Sequence, residues 1–391
     1  MRILALLSHL LGNRVFSDRL LEALTGCCDV DVFPVLLEST DYGRVSVPRF
    51  IRVSESAESE FVFRSKLRSL QLPDYDAVVV NGYGLLKAAL PTLKRTPVVL
   101  ATDTTPALQF DQKDQPKSAW KRVPLLAWNQ LAGRAFRAMA DRVTVFLPMS
   151  QWCADSLRNH YGLGRWPMLI TRCPQRDVLS RVPPRPRGDK CQLLFVGNDF
   201  DRKGGNFLLS VFEQFLQHAC DLVIVSNDAT LLKAHMPQGV TLVSGLQEPS
   251  QILQIYRRAD LLVLPTKQDQ YSHVICESFS QGLPCVASGV GGISELVAES
   301  SAGILVSTEK PAGDWADAIL EFARSAERCA RFQENALRFA NERLTMAQFR
   351  RDVQMVVDSL RDELPAACSV RHPGSSCSGR SAVFTSQGIR G

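Results

Sequence analysis

The sequence lacks the features that define several other classes of protein. No apolar run approaches the ~18–20 residues that a membrane-spanning helix needs. The N-terminal segment 1–12 is apolar but is interrupted by Ser8 and His9, and no small-x-small cleavage site follows. We therefore expect the first strand of a Rossmann-like domain there, not a signal peptide. No C-x2-C pair occurs among the 11 cysteines, which favours a reduced, cytoplasmic protein with mostly buried thiols.

Strong charge and metal-ligand spacing are also missing. The 45 Lys and Arg residues nearly balance 40 Asp and Glu, and a net charge of +5 is too weak to predict a nucleic-acid partner. Two D-x-D triplets, at 29–31 and 74–76, each precede an apolar run, so strand-entry turns are favoured over metal sites. No ligand spacing links the histidines His9, His160, His218 and His235. We predict neither a metal nor a cofactor.

What the sequence does contain is a regular alternation of strands and helices, which is typical of parallel α/β sheets. A chain of 391 residues with 45% hydrophobic content is long enough for two such domains. We expect an N-terminal domain over 1–175, a Pro-rich linker over 176–190 and a second domain over 191–345. A helix over 346–362 is expected to cross back to the first domain, and the Ser- and Gly-rich tail 363–391 to be disordered.

The stretch 261–297 is the most informative part of the chain. The apolar run 261–264 predicts a buried strand, and the polar loop that follows carries Asp269. Glu277 lies eight positions later on a predicted helix, which ends at 282–284 because Pro284 cannot continue it. A further strand and helix follow. Two strand–loop–helix units thus present helix N-termini beside strand ends, an arrangement that suits phosphate.

The two acids, together with the segment GLPCVASGVGGISELV at 282–297, resemble the E-x7-E region of retaining glycosyltransferases of family 4. The resemblance covers most of residues 1–362 and is specific over 192–306. It implies the GT-B fold: two Rossmann-like, doubly wound parallel-sheet domains facing a central cleft. It also implies a sugar transfer, with retention and without a metal, from a nucleotide-sugar in the C-terminal domain to an acceptor held mainly by the N-terminal domain.

The same resemblance implies roles for individual residues. Lys203 and Arg202, in a glycine-bearing loop with Gly204, would contact the pyrophosphate. Glu277 would accept hydrogen bonds from the ribose hydroxyls, and Asp269 would contact the transferred sugar and stabilise positive charge at its anomeric carbon. Further donor-binding residues are expected at Ser272, His273, Gly245, Gly291, Gly292, Glu295 and Gly12.

The sequence departs from the family pattern at several of these positions. Asp269 replaces the usual Glu, Ser272 replaces a Gly, and Asn198 stands where the family often has an Arg. In the first domain, Asp103 is a candidate for positioning donor or acceptor hydroxyls, and we predict it as catalytic together with Asp269. Thr102 occupies the position of a family His, so no ready general base appears. A structural turn before Pro106 is the equal alternative for Asp103.

Residues 113–142 interleave basic and aromatic side chains in one amphipathic stretch. Such a stretch can lie on an anionic membrane surface, which would place the protein at the inner face of the membrane and suggest a lipid-linked acceptor. The alternative is a helix that packs its apolar face on the first domain.

The overall prediction is a cytoplasmic enzyme of glycan biosynthesis. It would use a UDP- or GDP-sugar as donor and a glycan, a lipid-linked molecule or a small molecule as acceptor. An epimerase or phosphorylase of the same fold is a second enzymatic reading, disfavoured because those enzymes lack the paired R-K-G and acidic motifs. A degenerate nucleotide- or glycan-binding protein without catalysis is the non-enzymatic alternative.

Overall fold

The structure is a computed structural model, and it describes residues 1–8, 13–35, 65, 75–93, 96–111, 119–183, 189–228, 236–246 and 248–369. The predicted loop over 38–70 lies almost entirely outside these ranges, as do Gly12, His9 and His235. The chain forms two compact units. The first contains residues 1–173 together with the segment from 346 onward, and the second contains residues 174–345.

The first unit is built on a five-stranded parallel sheet with the order β2-β1-β3-β4-β5. Its strands are β1 (Arg2–Ser8), β2 (Asp29–Val35), β3 (Ala77–Asn81), β4 (Val98–Thr102) and β5 (Val145–Pro148). Its helices are α1 (Asn13–Thr25), α2 (Tyr83–Ala89), α3 (Pro106–Asp111), α4 (Ala119–Ala140), α5 (Gln151–Asn159) and, from the C-terminal segment, α12 (Met346–Ser369). This strand order is the one found in flavodoxin-like doubly wound sheets.

The second unit contains a six-stranded parallel sheet with the order β11-β10-β9-β6-β7-β8. Its strands are β6 (Cys191–Val196), β7 (Cys220–Val225), β8 (Val240–Val243), β9 (Leu261–Leu264), β10 (Cys285–Ser288) and β11 (Gly303–Val306). Its helices are α6 (Gly205–Val211), α7 (Pro249–Arg258), α8 (His273–Ser280), α9 (Ile293–Ser300), α10 (Ala312–Arg324) and α11 (Ala326–Arg343). In chain order this is the Rossmann arrangement 3-2-1-4-5-6. Two doubly wound α/β units confirm the predicted fold class.

Burial explains why short apolar runs became strands. All residues of β3, β4, β9 and β10 are buried, as expected for central parallel strands covered by helices on both faces. Ser150 caps α5 as predicted, because its hydroxyl accepts a hydrogen bond from the Cys153 amide. Gly282 follows α8 with a φ of +66°, a left-handed conformation that glycine adopts without strain.

Four elements differ from what the sequence indicates. Residues 206–218 have the apolar spacing of one continuous α-helix, but the chain changes to π-helix over Phe212–Leu216, a wider turn whose two end side chains are both buried. Strand β11 was not predicted, because its four residues carry little periodic signal. Helix α12 continues to Ser369, so residues 363–369 are helical and not part of a disordered tail. Asp29 and Asp31 also lie within β2 and not in a turn before it.

The nine cysteines whose side chains the structure describes are all free thiols, and five of them are buried. Within the described ranges, no helix is long and apolar enough to cross a membrane.

Candidate functional site

The carboxyl ends of β6 and β9 form the topological switch point of the second sheet. Strands β7 and β8 extend the sheet on the β6 side, and strands β10 and β11 extend it on the β9 side. Open α/β sheets bind ligands at this point. The loop after β6 carries Arg202 and Lys203, and the loop after β9 carries Asp269. The fold therefore brings together two motifs that are 66 residues apart in the sequence.

Lys203 and Asp269 form an ion pair at this switch point. The Lys203 Nζ lies 2.6 Å from Asp269 Oδ2, and the two side chains are only 15% and 8% exposed. A buried carboxylate without a cation carries a large desolvation cost, so each side chain holds the other in place. The predicted phosphate-binding cation and the predicted sugar-binding acid are thus direct neighbours.

Gly204 permits this close approach of the two loops. Its φ is +81°, and a Cβ at this position would lie 1.9 Å from the Pro265 carbonyl oxygen. Any side chain would therefore push the β6 loop away from the β9 loop. The glycine after the Arg–Lys pair is required by packing, and it also begins α6 as the N-cap.

Arg202 is held by the loops on either side of it. Its Nε donates to Asp199 Oδ2 at 2.6 Å, and its Nη1 donates to the Gln268 carbonyl at 2.9 Å. A second ion pair, Lys267 with Asp201 at 2.8 Å, joins the same two loops at the surface, with exposures of 56% and 68%. The β6 and β9 loops are therefore braced by one buried and one exposed pair.

Glu277 lies on α8 and is partly buried. Its Oε2 accepts a hydrogen bond of 2.8 Å from the Tyr256 hydroxyl, which belongs to α7. Tyr256 is fully buried, and its pKa is raised well above the usual value by burial and by the adjacent Glu277 carboxylate. The tyrosine therefore stays a donor and orients the carboxylate. Sequence reasoning missed this partner, although Tyr256 belongs to the L-x-x-Y-x-x-A-D pattern that precedes β9.

The N-terminus of α8 holds two of the predicted donor-binding residues. Ser272 is the N-cap, and its hydroxyl accepts from the Ile275 amide at 3.4 Å. His273 packs its ring edge-on to Tyr271, with centroids 5.6 Å apart, and its Nδ1 is buried without a hydrogen-bond partner. The pKa of His273 is lowered to about 4, mainly by burial; the Asp269 charge opposes this shift, and the Lys203 charge adds to it. The ring is therefore neutral at pH 7.

Three loops at the sheet edge are joined by a pair of asparagines that the sequence interpretation overlooked. Asn198 Oδ1, at the position of the missing arginine, accepts from the Asn227 amide at 3.0 Å. Asn227 Oδ1 in turn accepts from the Gly245 amide at 2.8 Å. These contacts connect the ends of β6, β7 and β8. The sequence did carry a signal, since Asn227 lies two residues after the end of the apolar strand β7.

The glycine segment before α9 lies against the acidic loop. Gly291 has a φ of +54°, Gly292 is the N-cap of α9, and the Gly292 amide donates to the Gln270 carbonyl at 2.9 Å. Glu295 occupies the first turn of α9 and is partly buried. The Gly292 contact thus places the start of α9 beside the loop of Asp269.

The first unit holds the remaining predicted residues. Asp103 follows β4, in a turn where Thr102 Oγ1 donates to the Thr104 carbonyl at 2.7 Å. The negative charge of Asp103 contributes, after burial and Tyr161, to raising the pKa of Tyr83 to about 12. Asp103 lies one strand away from the switch point of this sheet, which falls between β1 and β3. Gly12, in the loop after β1, is outside the described residues.

Comparison with known proteins agrees with this geometry. Residues 190–325 match the family described as Glycosyl transferases group 1. The D-inositol 3-phosphate glycosyltransferase of Nocardia farcinica is 38% identical over 73 residues, which span 19% of this chain and 16% of that protein. The likeness to group 1 glycosyltransferases in sequence therefore covers residues 190–325, and the match to this relative spans about a sixth of the relative's length.

Solved structures extend the likeness over nearly the whole chain. Sucrose-phosphate synthase from Thermosynechococcus elongatus aligns with a TM-score of 0.71 and 16% identity, covering 94% of this chain and all of the other. Anabaena HepE in complex with UDP-glucose aligns with a TM-score of 0.65 and 14% identity, covering 92% and 100%. These likenesses identify the fold of the chain as GT-B.

Proposed function

We propose that the protein is a glycosyltransferase that transfers a sugar from a nucleotide-sugar donor with retention of anomeric configuration. The observation that carries the proposal is the Lys203–Asp269 pair at the β6/β9 switch point, beside the N-terminus of α8. A leaving nucleoside diphosphate needs positive charge, and the sugar left behind needs negative charge near its anomeric carbon. The pair presents both within one site.

In this proposal the donor pyrophosphate binds Lys203, Arg202 and the first amides of α8. Those amides carry the positive end of the helix dipole and lack helical partners, so they suit an anion. Asp269 would then face the sugar and stabilise its oxocarbenium character. Glu277, oriented by Tyr256, would bind the ribose hydroxyls with its two acceptor oxygens.

Donor and acceptor classes are part of the same proposal. HepE has been crystallised with UDP and UDP-glucose, which supports a UDP-sugar, and a GDP-sugar is the second candidate. WaaG, a structural neighbour, is involved in lipopolysaccharide biosynthesis, and the Nocardia relative is named for an inositol phosphate. Glycan, lipid-linked and small-molecule acceptors therefore all belong in the acceptor screen. We propose that no metal is needed, because cationic side chains supply the charge.

We also propose that residues 113–142, which include α4, contact a membrane surface. Residues 112–118 and the side chains of 119–129 are outside the described part of the chain. Of the remaining side chains, Phe136 is buried and packs edge-on against Tyr83, whereas Leu131 is 58% exposed. The C-terminal half of the helix thus uses Phe136 for internal packing and leaves Leu131 at the surface.

The first experiment is a thermal-shift screen against UDP-, GDP-, ADP- and dTDP-sugars, with and without EDTA. A donor at one hundred times its Kd should stabilise the folded chain by about 2.7 kcal/mol. We expect Lys203→Ala to abolish this shift and Lys267→Ala, which breaks the exposed pair of the same loops, to retain it. Loss of the shift in EDTA would contradict the metal-free site.

Catalysis is tested separately from binding. Release of free nucleotide from the bound donor, followed by NMR of the anomeric proton when an acceptor is supplied, reports turnover and stereochemistry. A saturable thermal shift without nucleotide release, with or without any acceptor, would favour the non-enzymatic alternative. An inverted product would overturn the retaining mechanism.

A further inference from the structure

Two cysteines meet at the end of the second sheet that is opposite the candidate site. Cys191 is the first residue of β6 and Cys220 is the first residue of β7, and the two are direct register partners. Neighbouring strands lie about 4.7–4.9 Å apart, which falls within the Cα separation of about 4.4–6.8 Å that a disulfide spans. Residues 29 positions apart thus lie side by side.

The two thiols also interact directly. A hydrogen bond between them raises the pKa of Cys191 and lowers the pKa of Cys220, and burial raises both. The Lys190 charge favours the thiolate, while Asp221 and Asp260 oppose it. The opposite directions of these two pKa shifts place the first thiolate of the pair on Cys220, where the Cys191 thiol donates a hydrogen bond to it.

A cavity leads to this pair. It has a volume of about 470 Å³, it is bordered by Cys191, His218, Asp260 and Cys329, and its far wall is the turn between α10 and α11. Cys191 is partly exposed at this cavity, whereas Cys220 is fully buried behind it. A small oxidant that enters the cavity therefore meets the sulfur of Cys191 first.

From this arrangement we propose that Cys191 and Cys220 form a reversible disulfide when the protein meets a hydroperoxide. The Cys191 sulfur attacks one oxygen of hydrogen peroxide and passes its proton to the Cys220 thiolate, so that an S–O bond forms, the O–O bond breaks and the departing hydroxide leaves as water after protonation. The Cys220 sulfur then attacks the sulfenic sulfur, the S–S bond forms and a second water leaves. Two thiols lose two electrons and two protons, and the peroxide takes up both.

This site does not depend on the proposed glycosyltransferase activity. The pair lies at the amino ends of β6 and β7, and the loops of Lys203 and Asn227 lie at their carboxyl ends. Oxidation would join the first residues of two neighbouring strands without touching a side chain of the candidate site. Paired parallel strands hold their Cβ atoms farther apart than an unstrained disulfide prefers, so the bond should be readily reduced.

The test is oxidation of the full-length protein with hydrogen peroxide, followed by alkylation, trypsin digestion and mass spectrometry. Trypsin cleaves after Lys190, Arg202, Lys203 and Lys233, so the two cysteines fall in separate peptides, 191–202 and 204–233. We expect these peptides to be joined, with a mass two hydrogens below their sum, and to separate after treatment with dithiothreitol.

Variants distinguish this bond from its alternatives. Cys191→Ala and Cys220→Ser should each abolish the joined species. Cys285→Ser, a fully buried cysteine in β10, and Cys329→Ser, which borders the same cavity, should leave it intact. The proposal is overturned if wild-type protein links Cys191 to Cys329, or if both thiols stay open to alkylation at peroxide concentrations that oxidise other cysteines. A bond that appears only in urea overturns it as well.

Discussion

The two units differ in how the loops at their strand ends are held. In the second unit, side chains cross from one loop to another: Lys203 reaches Asp269, and Asn198 reaches the Asn227 backbone. In the first unit, the described turn after β4 is satisfied within itself and by the helix beneath it, through Thr102 to Thr104 and Thr105 to Ser156 at 2.7 Å each. Because contacts between the loops hold them in position without a ligand, the candidate site of the second unit is preorganised.

This difference explains why the second unit resembles the glycosyltransferase family closely in sequence, whereas the first unit resembles it only loosely. A loop residue that bonds to another loop cannot change without its partner, so type and spacing are constrained together. A turn that satisfies itself tolerates replacement more freely. The four predictions that follow test how much the residues that hold these loops of the second unit contribute to stability and to nucleotide binding.

The largest effect should come from removing the buried cation. Lys203→Met removes the cation beside the buried Asp269 carboxylate. Amide hydrogen exchange should then show that β6 and β9 are less stable by about 3–5 kcal/mol. Lys267→Met, at the exposed pair, should cost less than about 1 kcal/mol. The double variant Lys203→Met/Asp269→Leu should recover most of the stability. Equal losses at both lysines would show that the buried pair does not hold the loops.

Next in size is the close approach at Gly204. Gly204→Ala combines a left-handed φ with a clash against Pro265, so we expect a loss of about 3 kcal/mol or more. Gly245→Ala has a φ of +68° but open space, and should lose only about 1–2 kcal/mol. Gly313→Ala, in open space within α10, should lose nothing. Denaturant unfolding of the three variants separates the clash from the backbone strain.

Acid should destabilise the second unit through His273. The unfolded chain binds a proton near pH 6.5, but the folded chain binds it only near pH 4, because burial lowers the pKa. The free energy of unfolding therefore falls as pH drops through that window, by about 2–3 kcal/mol. His273→Gln should remove this part of the pH dependence, and His218→Gln, at an exposed residue, should leave it. Identical profiles for all three proteins would contradict the assignment.

The smallest effect is expected at Tyr256. Tyr256→Phe removes the hydroxyl that orients Glu277 and should cost about 1 kcal/mol, since Glu277 is partly exposed and can be hydrated instead. Nucleotide affinity should fall along with it, by roughly fivefold for a loss of that size. Calorimetric titration of the variant with the nucleotide found in the screen measures this directly. Unchanged affinity would mean that the tyrosine supports the fold alone.

The sequence allowed the fold class to be predicted, and it indicated which candidate residues would lie at one edge of the second sheet, for identifiable reasons. Buried parallel strands such as β9 read as short apolar runs, and the residues after them are forced to one edge of the sheet. That argument placed Lys203, Asp269 and Glu277 at the same edge without coordinates. Pairing between loops could not be derived, because it depends on how closely two backbones approach, as at Gly204 and Pro265.

Other features were hidden for different reasons. The register that pairs Cys191 with Cys220 has no sequence signature, since strand pairing depends on which strands become neighbours. The π-helical turn at Phe212–Leu216 keeps an ordinary helical pattern of apolar residues. For Asp103, the structure gives a position after β4 and an electrostatic effect on Tyr83, and its role in transfer stays a prediction.

The path of the chain makes the second unit an insertion within the first. The chain leaves the first unit after residue 173 and returns to it at residue 346. Where it enters and leaves, the Gln175 amide donates to the Leu344 carbonyl at 2.7 Å, and Gln175 pairs with Thr345. These contacts hold the two ends of the inserted domain next to each other. Inserting the whole domain therefore costs about as much conformational entropy as inserting a short loop. A guest domain whose ends lie equally close could be exchanged at the same junction.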